Sequence, residues 1–253
     1  MHTANNPVQA VERALRILES VQEHDGLTLA ELEELLDISK GAVHNHCSTL
    51  REHGYLVKDG DEYVIGMRFF EMGEYAKRRK RIYEVGVPEV EELAAETEEL
   101  GNLLIEEHGQ GIYLHRAYGE HALQLDTGVG SRVHLHSTAL GKAILAHLPE
   151  PYVDSVLDAY GLPAYTEHTI TDREEFKRTL EETRERGYAV DLEERAEGVK
   201  CVAAVVKTSD DKVLGAVSVA GPIGRMESGR MHDEIAERVQ NAARVAGINA
   251  TYL

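Results

Sequence analysis

Between Val8 and Ile65 three short amphipathic helical stripes are followed at once by a hairpin signal, and this succession restricts the fold more than any other feature. Val8, Val11, Leu15 and Leu18 recur at helical spacing, with Ile17 and Val21 widening the stripe, and Asp25-Gly26 ends it. Thr28 stands three residues before Glu31, the spacing of a capping box, so a second helix should start there with Leu29, Leu32, Leu35 and Leu36 turned inward. Asp37-Ile38 makes a short turn. Ser39 is placed to cap a third helix whose inner face is Val43, Cys47 and Leu50. Gly54 closes it, Tyr55-Leu56-Val57 and Glu62-Tyr63-Val64-Ile65 read as strands, and Asp59-Gly60 is the turn between them. Three helices and a hairpin in this order form a winged helix-turn-helix.

The outer face of the third helix carries Lys40, Gly41, His44, Asn45 and Ser48, with Ser39 at its start. None is acidic, which is unusual in a chain with 45 Asp plus Glu against 27 Lys plus Arg and a net charge of −18. Such a face suits a helix laid in the DNA major groove, where Asn can read adenine and Lys can reach guanine or phosphate. Lys58 on the wing is a candidate phosphate contact, opposed by Asp59, Asp61 and Glu62 at the tip.

A DNA-binding chain is normally basic, so this charge needs an account. Carboxylates are abundant and lysines number only nine, a composition suited to a salt-rich cytoplasm and a halophilic, haloarchaeal source. At about 1 M salt the Debye length is only ~3 Å, so the global charge would scarcely repel DNA. Residues 1–81 hold 11 basic and 14 acidic side chains, a net of −3; the remainder hold 16 and 31, a net of −15. The least acidic part is therefore the part that should meet DNA, and it contains the basic run Lys77-Arg78-Arg79-Lys80-Arg81.

Length and charge partition predict two domains joined by a helix: a winged helix-turn-helix over 1–68, a linker helix over 69–82, and a larger second domain over 83–253. In the last, Val87–Leu100 reads as a helix, then Asn102–Glu107, Gly111–Ala117 and Ala122–Asp126 as strands. Helical patterns follow at Ser137–Leu148, Pro151–Ala159 and Asp172–Arg186, strands at Cys201–Lys207 and Val213–Ala220, and a helix at Asp233–Ala246. Strands, helices and strands again make an α+β domain. No stretch is long and apolar enough for a membrane span, no export signal stands at the start, and Cys47 and Cys201 form no redox or metal pair, so a cytoplasmic location is expected.

Three segments carry candidate chemistry. His134-Leu135-His136-Ser137-Thr138-Ala139-Leu140-Gly141-Lys142 ends a strand and starts a helix with Ser137 or Thr138 as cap, a place where backbone N–H groups can hold an anion. Asp191 and Cys201 sit at strand positions able to face one cavity. Ser218 alternates with Val217 and Val219 and so lies on the other sheet face from them.

These residues resemble the IclR family of bacterial and archaeal transcription regulators. Val11–Glu19 is similar to the family's opening helix, Ile38-Ser39-Lys40-Gly41-Ala42-Val43-His44 to its recognition helix, and Gly54-Tyr55-Leu56 to its entry to the wing. His136–Ala143, Gly187–Glu194, Cys201–Ala204 and Ser218–Pro222 resemble its effector domain. The resemblance implies a GAF-like effector domain, homodimers paired through the N-terminal part and often homotetramers, a palindromic double-stranded operator, and a small-molecule effector such as an organic or sugar acid. It also implies an effector site at Leu125, Val133, Ala139, Leu140, Asp191, Cys201, Ser218 and Ala220. The chain departs from the family at Ala220, where many members have Ser, and at Gly41 and Asn45, where Ser and Arg are frequent.

The function expected is a DNA-binding regulator whose operator affinity follows a metabolite, controlling a catabolic operon, with no cofactor, catalytic residue or metal. Two other readings stand beside it. A metal-responsive regulator would use His134 and His136 with His115, His121 and Cys201; a small-molecule-binding protein without DNA would leave the third helix face merely solvated. An enzyme would need Cys201, His136 and Asp191 as nucleophile, base and orienting acid, and nothing in their spacing places them within reach.

Overall fold

Thr28 begins the second helix as its spacing requires: its hydroxyl accepts the Glu31 N–H while the Glu31 carboxylate accepts the Thr28 N–H at 2.8 Å. The computed structural model, which describes residues 5–252, builds around this cap a unit that ends near Lys77. It comprises α1 (Gln9–Glu23), β1 (Leu27–Thr28), α2 (Leu29–Leu36), α3 (Lys40–Glu52), β2 (Leu56–Asp59), β3 (Glu62–Ile65) and α4 (Arg68–Arg78). Its core is Ile17, Val21, Leu32, Leu36, Val43, Cys47, Leu56 and Tyr63.

Several local expectations shift. On α1 the buried seam is Ile17 and Val21, whereas Val8, Val11 and Leu15 are more than half exposed, and on α2 Leu35 also faces out. Ser39 precedes α3 without a side-chain capping bond; the Glu33 carboxylate instead accepts the Lys40 N–H at 3.1 Å. The wing turn is Gly60-Asp61, one residue later than Asp59-Gly60, because Asp59 pairs with Glu62 across the hairpin. Gly60 still supplies the positive φ (57°) that such a two-residue turn needs.

The second unit starts at Arg78. Here α4 stops, and Lys80 precedes α5 (Arg81–Thr97), so the linker helix expected over 69–82 is broken into two helices. Pro88 lies inside α5, and the helix begins well before the Val87 start expected from the sequence. Six strands form one antiparallel sheet in the order β6-β5-β4-β9-β8-β7: β4 Leu100–Glu107, β5 Gln110–Tyr118, β6 Arg132–His134, β7 Ala189–Leu192, β8 Val199–Lys207 and β9 Val213–Pro222. The expected strand at Ala122–Asp126 is loop, and the edge of the sheet is instead Arg132–His134.

Alternation along the strands divides the core in two. Leu103, Val202, Val217 and Val219 face α5 and α9 (Ala236–Tyr252), the latter preceded by a π-helical turn at Arg230–Ile235. Leu104, Ala203, Ala216 and Ala220 face the other way, towards α6 (Ala139–Leu145), α7 (Glu150–Tyr160) and α8 (Arg173–Arg186). Helix α6 is entirely buried. Gly141 on it permits this: a Cβ there would stand 2.0 Å from the Leu135 carbonyl oxygen and 2.4 Å from the Leu135 Cα.

Gly141→Ala should therefore cost about 3 kcal/mol, the upper end for overpacking. At ~2–4 °C per kcal/mol for a unit this size, the melting midpoint should fall by roughly 6–12 °C in a calorimetric scan. A midpoint equal to the wild type's would mean that α6 packs less closely than described.

Candidate functional sites

On α3 the buried residues Val43 and Cys47 set the rotation of the helix, which leaves Lys40, Gly41, His44, Asn45 and Ser48 exposed, with Ser39 exposed just before it. A Cβ on Gly41 would touch nothing within 4 Å, so packing does not demand glycine there. The face is open, neutral to basic, and rich in hydrogen-bonding groups. Lys58 on β2 lies 3.8 Å from the Asp61 carboxylate, which offsets its charge at the wing. In the basic run, Lys77 pairs with Glu74 and Lys80 with Glu107 at 2.9 Å.

The second site lies on the sheet face towards α6. Cα register places Asp191 beside Cys201, Cys201 beside Ala220, and Asn102 beside Ser218. Leu125, Leu140, Asp191, Cys201 and Ala220 line a narrow cavity of about 40 Å³. Val133, Ala139 and Ser218 do not. Val133 and Ala139 are buried in the packing around α6, and Ser218, fully buried, receives a hydrogen bond from the Asn102 amide nitrogen at 3.3 Å. Residues the sequence reading did not select complete the wall, chiefly Asn102, Tyr113, Thr138 and Arg195.

The helix start expected to hold an anion is already engaged: Thr138 caps α6, its hydroxyl accepting the Gly141 N–H at 3.0 Å. Behind the cavity the Lys142 ammonium, 1% exposed on its side chain, is paired with Glu194. The Glu194 N–H donates to Asp191 Oδ1 at 2.7 Å. Burial pushes the Asp191 carboxyl up to about 7, against the opposing pull of Lys142 and with a further push from Glu194. Burial and the charge of Asp191 push the Cys201 thiol up to about 12, and burial pushes the Tyr113 hydroxyl to about 12. A thiol held in its neutral form is a poor nucleophile.

His136 does not join Asp191 and Cys201 in hydrogen bonding. Its Nε2 donates to the Pro163 carbonyl at 3.0 Å, and burial lowers it to about 4, so it is neutral. His134 bonds the Tyr165 hydroxyl, His115 lies 3.6 Å from Glu91, and His121 bonds Glu98 at 3.0 Å. The histidines proposed as metal ligands thus face different partners, and among the described residues no group of three or more His, Cys, Asp or Glu could hold a metal ion. No helix there is long and apolar enough to cross a membrane.

Residues 10–60 match the family model described as the IclR helix-turn-helix domain, and residues 75–246 that described as bacterial transcriptional regulator IclR C-terminal. The chain belongs to the IclR family. It is 30% identical to a probable HTH-type transcriptional regulator ArcR of Halobacterium salinarum over 94% of this chain and 92% of that protein. It is 31% identical to the HTH-type transcriptional regulator XynR of Escherichia coli over 93% and 94% of the two chains. The crystal structure of the Thermotoga maritima IclR superposes with a TM-score of 0.79 at 27% identity, covering 96% of this chain and 99% of that one. As an IclR-family member the chain is a DNA-binding transcriptional regulator with a C-terminal effector-binding domain.

The raised Asp191 carboxyl has a consequence for stability. Its folded value lies above the ordinary 3.8, so the native state holds the proton longer than the unfolded chain, and this contribution is lost as pH rises from about 4 through about 7. Besides burial, Lys142 pulls it down and Glu194 pushes it up. Asp191→Asn keeps an oxygen for the Glu194 N–H and removes the titration. Its stability relative to wild type should rise between pH 4 and pH 7 in paired denaturant titrations; a constant difference would show that Asp191 titrates normally.

Proposed function

We propose that the exposed face of α3 reads a palindromic operator and that the cavity beside Asp191 binds the small-molecule effector that sets operator affinity. Ser39, Lys40, Gly41, His44, Asn45 and Ser48 form the reading face, and Lys58 contacts phosphate. One observation carries the DNA assignment: this face bears no carboxylate in a chain of net charge −18. Asn45 is the residue best suited to a bidentate contact with adenine. Leu125, Leu140, Asp191, Cys201 and Ala220 form the effector site, with Val133, Ala139 and Ser218 supporting its walls. The effector is an organic or sugar acid, the regulated genes form a catabolic operon, and the chain acts in the cytoplasm without catalysing a reaction.

The regulator works as a homodimer or a homotetramer of such dimers. Supporting this, the N-terminal unit leaves Val8, Val11 and Leu15 exposed at the start of α1 and Phe70, Met72 and Tyr75 exposed on α4, while Leu15, Leu18 and Phe69 line one groove between these helices. So much exposed apolar surface on a small unit suits an interface with a second copy. The acid-rich, lysine-poor composition supports work in molar salt, where shape and base contacts carry more of the affinity than phosphate attraction.

Genome-wide occupancy of the tagged chain in its own cells would identify the operator. With that operator, at fixed high KCl, Asn45→Ala should weaken binding by about 1–3 kcal/mol and blur one base position. Across a KCl series, Lys40→Ala should instead weaken binding to all sequences alike and flatten the salt dependence by about one unit of slope. Wild-type binding by both variants would remove α3 as the reading helix. For the effector half, Ala220→Val adds two methyl groups to the cavity wall. It should leave operator occupancy indifferent to growth substrate while the fold melts normally; retained response would place the effector elsewhere.

A further inference from the structure

Asn102 is 3% exposed and lines the effector cavity. Its amide nitrogen donates to the Leu100 carbonyl at 3.5 Å and to Ser218 Oγ at 3.3 Å, while its Oδ1 is buried without a hydrogen-bond partner. The amide orientation follows from these neighbours: flipped, its oxygen would face the Leu100 carbonyl, acceptor against acceptor. A buried acceptor left unpaired costs free energy that a donor brought against it would recover. Arg195 supplies the opposite character. It lines the same cavity, its guanidinium stacks on the Tyr165 ring at 4.6 Å from the centroid, and its ion pair with the exposed Asp126 is long, 3.9 Å. An exposed pair of that kind is weak and readily exchanged for another carboxylate.

Resting on the reading of this cavity as the effector site, we propose that Asn102 selects the effector and that the site takes a short hydroxycarboxylate, its carboxylate on Arg195 and its hydroxyl proton donated to Asn102 Oδ1. Strand pairing explains why the selecting group is on β4. Ser218 is consumed in holding the Asn102 amide, and Ala220 next to it on that sheet face offers no hydroxyl. The polar readout therefore moves one strand across. A 2-oxo acid would present an acceptor to Asn102 Oδ1 and leave both unpaired. The cavity, about 40 Å³, favours a ligand of few heavy atoms. Asp191, whose carboxyl burial raises well above the ordinary carboxylate range, repels an anion less than an ordinary carboxylate would.

The test is calorimetric titration of the full chain in buffered KCl with L-lactate, D-lactate, pyruvate and propionate, which differ only at the α-carbon. A lactate enantiomer should bind roughly tenfold or more tightly than pyruvate and propionate, the factor expected for one buried acceptor satisfied or left bare. In Asn102→Leu that ratio should collapse towards one. Equal binding, or pyruvate ahead of lactate, in the wild-type protein overturns the proposal whether or not the variant folds. Binding of none of the four overturns the ligand class as well. Failure of the effector-site reading itself would show separately, as an Ala220→Val regulator that still responds to growth substrate.

Discussion

The ion pair between Lys142 and Glu194 organises the effector-binding unit. Lys142 is among the largest fully buried side chains, and Glu194 and Asp191 are 5% exposed each. Burying a charge is costly unless it is paired, and removing one member of a buried pair costs about 3–5 kcal/mol because the other is stranded. Lys142 is bonded to Glu194, while burial raises the neighbouring Asp191 carboxyl well above the ordinary carboxylate range, against the pull of Lys142. The pair also joins α6 to the turn after β7. That turn is held by Thr169, whose hydroxyl donates to the Glu194 carbonyl at 2.6 Å, and by Thr166, which donates to the Glu193 carbonyl at 2.7 Å. Arg195 follows directly, so its position over the cavity is inherited from the pair. His136 braces the chain just ahead of that segment through the Pro163 carbonyl. A histidine that looked like a metal ligand or a base is thus a strut.

Charge is handled differently in the two units. In the effector-binding unit many carboxylates find specific partners: Glu99, 1% exposed, is gripped by Arg225 at 2.7 Å and Arg230 at 3.3 Å, and Asp154 by Arg173 and Lys177. Many more remain solvated, which keeps that surface strongly hydrated. The N-terminal unit carries fewer acids, and α3 has none between Lys40 and Arg51. Since screening at high salt removes long-range repulsion but not contact desolvation, what would matter for DNA is the composition of the contacting face, and the α3 face proposed for that role carries no carboxylate.

Features set by neighbouring residues were legible in the sequence. The Thr28–Glu31 box, the glycine of the wing turn, the alternation that sets Ser218 against Val217 and Val219, and the α+β succession all depend on spacing along the chain. What depends on which strand lies beside which was not legible. Asn102 reads as one polar residue at the start of an apolar run, and only the pairing of β4 with β9 brings it over Ser218. Arg195 sits in a charged turn that looks solvated until Tyr165 is seen beneath it. On α1 the periodicity was real, but two apolar stripes overlap, and the sequence does not say which faces the unit's own core. Pro88 hid the first turns of α5 because proline near a helix start and proline within a helix look alike in sequence.

Strand β4 bears on how an effector bound in the proposed cavity would be felt outside it. Asn102 faces the cavity, while its neighbour Leu103 is fully buried against α5 and α9 on the other sheet face. Helix α5 starts immediately after Lys80, and Lys80 is bonded to Glu107 at the far end of the same strand. One strand therefore meets the cavity at one residue and the helix that leads back towards the N-terminal unit at the next. Close-packed interiors pass on small displacements rather than absorbing them. The size of the effect is still bounded by chemistry: an effector can shift the operator equilibrium only by the difference in its affinity for the two states, commonly ~1–3 kcal/mol. Satisfying one buried acceptor is worth about as much, ~1–3 kcal/mol, so an Asn102 oxygen paired in one state and bare in the other is an energy of the right magnitude for the switch.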